Sequence, residues 1–299
     1  MASGSAQHAI IDRSKHLFLT PAAILILVLS IFPLLFSLAL TMVSWDLGRL
    51  EGGIRFVGLN NFGTLFRDGR FWSTTRVTVT FVVLAVTLQY LVGLGLAILL
   101  NQQIRFRRFF RVVFLIPMML TPAAVGYVGR MLFNEGIGPV NNIIHLLGGP
   151  MVKWLTSTKL ALPTLIIVDS WEWVPFMMIV LLAGLQALPP EVFESARVDG
   201  ASTWQIFQHI TFPMLLPVSV TVIVIRGLEA FKLFDIVMVM TGGGPGTSTE
   251  TVTMYAYQVS MKNGNLGYGS AIAYALLIMI TVFTLIFLNI ARGRTASTE

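Results

Sequence analysis

Six stretches of this sequence are apolar almost without interruption for about the 20 residues that a helix needs to cross the hydrocarbon core of a bilayer: 17–43, 77–100, 112–133, 161–188, 213–240 and 270–290. Together they take up so much of the 299 residues that little is left for a separate soluble domain. Charged residues make up 11% of the chain and hydrophobic ones 55%, against about 25% charged in ordinary soluble domains. The expected fold is therefore an all-α membrane protein of six transmembrane helices. The chain has no Cys, which excludes a disulfide framework, a thiolate metal site and a cysteine nucleophile. Its net charge of +6 suits membrane lipid or an acidic protein surface, but arginines scattered among loops make no nucleic-acid patch.

In chain order, residues 1–16 read as a polar tail carrying Arg13 and Lys15. The run 17–43 is too long for the core of a cleaved signal peptide and is read as a retained first span. A mixed loop, Ser44 to Arg76, precedes the second span, in which Gly93 and Gly95 offer a neighbouring helix close approach. Arg105, Arg107, Arg108 and Arg111 crowd the short loop after it, which the positive-inside rule places in the cytoplasm. Counted with this loop, Lys and Arg still divide almost evenly between the two sides, about nine inside and eight outside, so its density carries the orientation. Pro117 and Pro122 are expected to kink the third span. An outer loop follows to Leu160, and a short amphipathic helix is expected near Val252 to Val259.

Between spans four and five lies a polar, patterned stretch, Pro189 to Pro217. Pro189 and Pro190 end one helix and open another, which carries Val192, Phe193 and Ala196 at helical spacing. Asp199-Gly200 suits a turn with one residue at positive φ. Ser202 with Gln205 three residues on has the form of a capping box and starts a second helix with Trp204, Phe207 and Ile210 near one face. This predicts a helix-turn-helix hairpin too polar to span and too apolar to stay in water alone.

Glu194-Ser195-Ala196, then Asp199-Gly200-Ala201, then Ile210 and Phe212-Pro213 resemble the EAA loop of the inner-membrane permease subunits of binding-protein-dependent ABC importers, most closely the carbohydrate permeases of maltose, trehalose and glycerol-phosphate type. Ser195 and Phe212 depart from the commonest form, where alanine and leucine stand. The string Phe56-Val57-Gly58-Leu59-Asn60-Asn61-Phe62, and the Phe231 to Pro245 segment with its Thr-Gly-Gly-x-Pro, are further points of resemblance. The resemblance implies a type I ABC importer permease fold with a cytoplasmic coupling hairpin at 189–213, a permease core at 77–290 after a first span and outer loop at 17–76, and a tail at 291–299. It places the protein in a bacterial inner membrane with both termini cytoplasmic. It implies as partners a second, different permease, two ATPase subunits and an external solute-binding protein, with ATP and Mg bound by the ATPase and no cofactor or catalytic residue in this chain. Glu194, Ser195, Ala196, Asp199, Gly200, Ala201, Ile210 and Pro213 would then meet the ATPase.

Within the spans, Asp169 and Glu172 share a helix face, and mid-bilayer charges cost about 2.5 to 3.5 kcal/mol each on insertion scales. Two readings stand. In one they bind sugar hydroxyls, with Trp171 and Trp173 as candidate ring platforms, although four consecutive directions on a helix do not all face one cavity. In the other they pair internally with Arg226 or Lys232. Arg226, Glu229, Lys232 and Asp235 recur at three-residue steps and would form a stripe along span five, either self-neutralising or lining a hydrated path. The glycines at 242–246 lack the Gly-Lys-Ser/Thr of a phosphate loop, and His8, His16, His145 and His209 lack metal-ligand spacing, so no metal site is expected. The alternative function is a secondary transporter driven by an ion gradient, with Asp169, Glu172 or Asp235 as proton sites. A third is a membrane scaffold without a path of its own.

Overall fold

The computed structural model describes residues 19–47, 53–102 and 105–295, and side chains as far as residue 289. The N-terminal tail at 1–16 and the side chains of Arg292 and Arg294 lie outside the described residues. In chain order the elements are α1 (Leu19–Thr41), β1 (Val43–Ser44), β2 (Arg55–Phe56), α2 (Asn60–Arg67), α3 (Gly69–Asn101), α4 (Arg107–Leu115), α5 (Pro122–Leu132), α6 (Pro139–Leu146), α7 (Ala161–Gln186), α8 (Pro190–Val198), α9 (Thr203–Phe231), α10 (Asp235–Met240), α11 (Val252–Tyr257) and α12 (Leu266–Thr295). Five helices, α1, α3, α7, α9 and α12, are long and apolar enough to cross a membrane, and α4 with α5 makes a sixth, broken span.

Three expectations need correction. Pro117 and Pro122 do more than kink span three: a 3-10 turn over Pro117–Met119 ends the first half, Thr121 turns extended and caps the second by accepting from the Ala124 N–H, and the halves bend by 97°. A proline disfavours helical backbone at the residue before it, so Thr121 leaves the helix and the ladder restarts at Pro122. Span five stops at Phe231, with Lys232 as its cap, and chain direction resets at Phe234 before α10. The stripe from Arg226 to Asp235 is therefore divided between two helices. The helix that carries the second span begins at Gly69, eight residues before Val77, so the segment 44–76 holds α2 and the first turns of α3 rather than a plain loop. At about 1.5 Å per residue, its 33 residues outrun a 30 Å hydrocarbon core.

Two helices carry the same irregularity. A π-turn over Leu27–Ile31 precedes Pro33, and another over Phe207–Thr211 precedes Pro213. Proline has no N–H to give the preceding turn, so the widened turn falls where the ladder is already interrupted.

The described residues form two compact units, those up to residue 68 with 256–274, and those from 69 to 255 with those from 275 on. In the first, Asn61 of the Phe-x-Gly-Leu-x-Asn-Phe string donates from Nδ2 to the carbonyls of Thr41 (2.8 Å) and Val43 (2.9 Å) and so caps the end of α1. In the second, α3 and α7 pack along their length. Gly93 permits it: a Cβ there would lie 2.5 Å from Met177 Cβ, whereas one on Gly95 would meet nothing within 4 Å. Of the two glycines expected to allow close approach, only Gly93 does so here.

Candidate functional site

The hairpin between α7 and α9 is closed by hydrogen bonds at both ends of its turn. Asp199 ends α8 and Gly200 takes φ +80°. The Gly200 N–H donates to Arg197 O (3.1 Å) and the Ala201 N–H to Ala196 O (2.9 Å), the paired bonds of a Schellman stop. Immediately after, the Gln205 N–H donates to Ser202 Oγ (3.3 Å) while the Ser202 N–H donates to Gln205 Oε1 (2.8 Å), the reciprocal capping box read from the sequence. Ala201, the last donor of the first device, directly precedes Ser202 of the second, so no free residue lies between the end of α8 and the start of α9. Glu194 and Ser195 are exposed on α8, Ala196 is buried beneath them, Ile210 is half-buried in the π-turn and Pro213 follows it. Apolar surface is left outward: Val198 is 87% exposed, and Trp204 is 68% exposed, stacked on Phe207 at 5.6 Å.

The base of the hairpin is tied to the basic loop. With its carbonyl oxygen turned to them, the Gln186 amide at the end of α7 accepts from the Arg107 guanidinium and from Arg111 (2.8 Å), both on α4. Arg105 and Arg108 are exposed.

The charged residues of the spans sort into two sets. Asp169 and Arg226, each 1% exposed, form an ion pair between α7 and α9. Gln89 on α3 completes it, donating to Asp169 Oδ2 (2.7 Å) and accepting from Arg226 Nε (2.8 Å), and the Trp173 ring lies 4.6 Å from the guanidinium carbon. For Asp169, internal pairing with Arg226 is thus the arrangement found. Glu172 is different. It is 3% exposed, its Oε2 has no hydrogen-bond partner, and it lines a cavity of about 100 Å³ with Pro122, Trp173, Glu229, Lys232 and Asp235. Lys232 donates to Glu229 (2.7 Å) at the exposed side of this cavity. Trp171 is not with them: it faces an apolar groove with Leu88, Val92, Phe114 and Val174.

Two further polar constructions had no local signal in the sequence. Gln89 is an isolated amide in an apolar run, and its partners lie 80 and 137 residues away. Glu250 is 1% exposed and receives both Arg70 Nε (2.9 Å) and Nη2 (2.7 Å), beside Thr249 and Thr251, which bond the Gly244 and Leu233 carbonyls. In the segment between α5 and α7, Thr156 donates to Glu135 through its hydroxyl (2.6 Å) and its N–H (2.9 Å), and the Thr156 hydroxyl bond in particular holds the Glu135 carboxyl below its ordinary pKa. Among the described residues no cluster of His, Asp or Glu is arranged to hold a metal.

Residues 89–295, more than half the chain, match the family model for the inner membrane component of binding-protein-dependent transport systems. The chain belongs to this family. The permease is 36% identical over 222 residues to the probable ABC transporter permease protein y4oQ of Sinorhizobium fredii, covering 74% of this chain and 71% of that one. It is 37% identical over 188 residues to the trehalose/maltose transport system permease protein MalF of Thermococcus litoralis, covering 63% of this chain and 64% of that one. A chain in the crystal structure of a bacterial alginate ABC transporter, in complex with an alginate pentasaccharide-bound periplasmic protein, superposes with a TM-score of 0.84 over 96% of both chains at 22% identity. The permease thus has the fold of the type I ABC importer subunits, and its six spans are those of an inner-membrane component.

Proposed function

We propose that this permease forms one half of the translocation path of an ATP-driven importer for a sugar or sugar-like solute, and that hairpin 189–213 is its contact with an ATPase. A separate external binding protein delivers the solute, a second permease supplies the other wall, and two ATPase subunits bind ATP and Mg. Both termini lie in the cytoplasm, on the side of the Arg105 to Arg111 loop. The solute class is supported by relatives named for trehalose and maltose.

The observation that carries the coupling role is the bonded turn at Asp199–Ser202 with Val198 and Trp204 facing outward. A turn fixed on both sides moves as a body, and helices joined to both of its ends receive that movement, as alternating access requires. Glu194 supplies a polar contact at the ATPase groove, and the exposed apolar groups bury there. The cavity at Glu172 is one wall of the path; at about 100 Å³ it is smaller than ligand pockets, which start near roughly 300 Å³, so the partner permease completes it.

The test is purification of the tagged permease from its host in mild detergent, with mass spectrometry of what accompanies it. Recovery of an ATPase and a second six-span permease is expected, with ATPase recovery reduced by Glu194→Lys. A stable homo-oligomer free of ATPase, or ATPase recovery unchanged by Glu194→Lys, counts against the assignment.

A further inference from the structure

Charge in the cavity behind Trp173 does not balance. Six ionisable side chains line it, the carboxyls of Asp169, Glu172, Glu229 and Asp235 and the cations of Arg226 and Lys232. Arg226 is committed to Asp169, with Nε on Gln89 and its face on Trp173. Lys232 is committed to Glu229. Glu172 and Asp235 are left over, and among the described residues lining the cavity no cation is. Of the two, Glu172 is 3% exposed with Oε2 unpartnered by any protein donor, a buried acceptor that a donor entering the cavity would satisfy. Asp235 is exposed at the start of α10, on the open side.

We infer that this cavity is a charge filter on the solute path: it accepts hydroxyl-bearing neutral solutes or solutes carrying an ammonium group, and it turns away carboxylated, sulfonated or phosphorylated ones. The inference rests on the reading that the cavity belongs to the path. A hydroxyl or ammonium gives Glu172 the donor it lacks. An anionic group instead meets two carboxyls in a confined, partly desolvated space, where like charge is poorly screened. The fold itself does not set the sign, since a neighbour of the same fold comes from an importer of the acidic polysaccharide alginate. These side chains do.

Because the chain has no Cys, single-cysteine variants report the local potential directly. Leu233→Cys, with Phe234→Cys as a second position, is made in the full complex in proteoliposomes and reacted with cationic and anionic methanethiosulfonates of matched size. Reaction is followed without nucleotide and in the ATP-trapped state, and the wild-type complex gives the background. The expected cationic-to-anionic rate ratio exceeds that of a free thiol about tenfold or more, and falls severalfold when Glu172→Gln or Asp235→Asn is added. A ratio equal to the free thiol's, or one that neither substitution lowers, overturns the filter while leaving the path intact. Failure of both thiols to react in either state, with the complex assembled, removes the cavity from the path and overturns the wider reading as well.

Discussion

Replacing Gly200 tests the coupling hairpin through backbone conformation alone. The residue sits at φ +80°, and a Cβ built there meets nothing within 4 Å, so bulk is not the obstacle. The left-handed conformation costs an L-residue roughly 1 to 2 kcal/mol, with β-branched residues at the upper end and Asn, which enters this region readily, at the lower. About 2 kcal/mol for Gly200→Val moves the balance between the bonded turn and an opened one by roughly 30-fold, at 1.4 kcal/mol per factor of ten. The assay is solute uptake and ATP hydrolysis by the reconstituted complex, expressed as their ratio, with subunit recovery measured beside it. Hydrolysis should continue while uptake per ATP falls, in the order Gly, Asn, Ala, Val from least to most affected. Asn is larger than Ala, so an Asn variant worse than Ala would show that volume at an interface governs the site. Wild-type coupling in Gly200→Val would refute the reasoning outright.

Arg226→Met leaves Asp169 as a buried charge without its partner, and should destabilise the complex by about 3 to 5 kcal/mol, read as a loss of thermal stability in detergent; Arg226→Met with Asp169→Leu should recover much of it. Gly93→Val overpacks the α3–α7 contact at Met177 and should cost about 1 to 3 kcal/mol, while Gly95→Val, facing open space, should leave assembly and melting unchanged. The Glu135 carboxyl, held low chiefly by the Thr156 hydroxyl, contributes loop stability that is present above the ordinary carboxylate pKa and lost as pH falls through the depressed one. Hydrogen exchange at Thr156, corrected for intrinsic rates, should therefore accelerate on acidification in the wild type and show no such step in Glu135→Gln.

What the sequence revealed and what it hid divide by the distance over which the determining interaction acts. The spans were legible because lipid demands long apolar runs, and the hairpin because its turn and capping box are complete within Ala196 to Gln205. The break of span three was half legible: the prolines mark the place, but the 97° bend depends on Thr121 leaving the helix. The interruption at Lys232 to Phe234 was not legible, since no proline or glycine stands there and the residues keep an even three-residue step. At Asp169 and Glu172 the sequence offered two readings for both residues, and the fold separates them. Gln89 reaches Asp169 and Arg226 to close an ion pair, whereas Glu172, one turn on, finds no hydrogen-bond donor for its Oε2. Arg70 and Glu250 stand 180 residues apart, beyond any local pattern.

The two bonds that Arg107 and Arg111 donate to Gln186 would give the hairpin, on the coupling role proposed for it, a second drive shaft. On that role, a push on α8 would travel into α7 through Pro189 and Pro190, and the two arginine contacts would gear the same push into α4. At the bend between α4 and α5 the train disengages, because no helical ladder crosses Leu120 and Thr121. On the coupling role proposed for the hairpin, one stroke would be shared by two helices, while no backbone ladder would carry it into α5, whose Pro122 borders the cavity at Glu172.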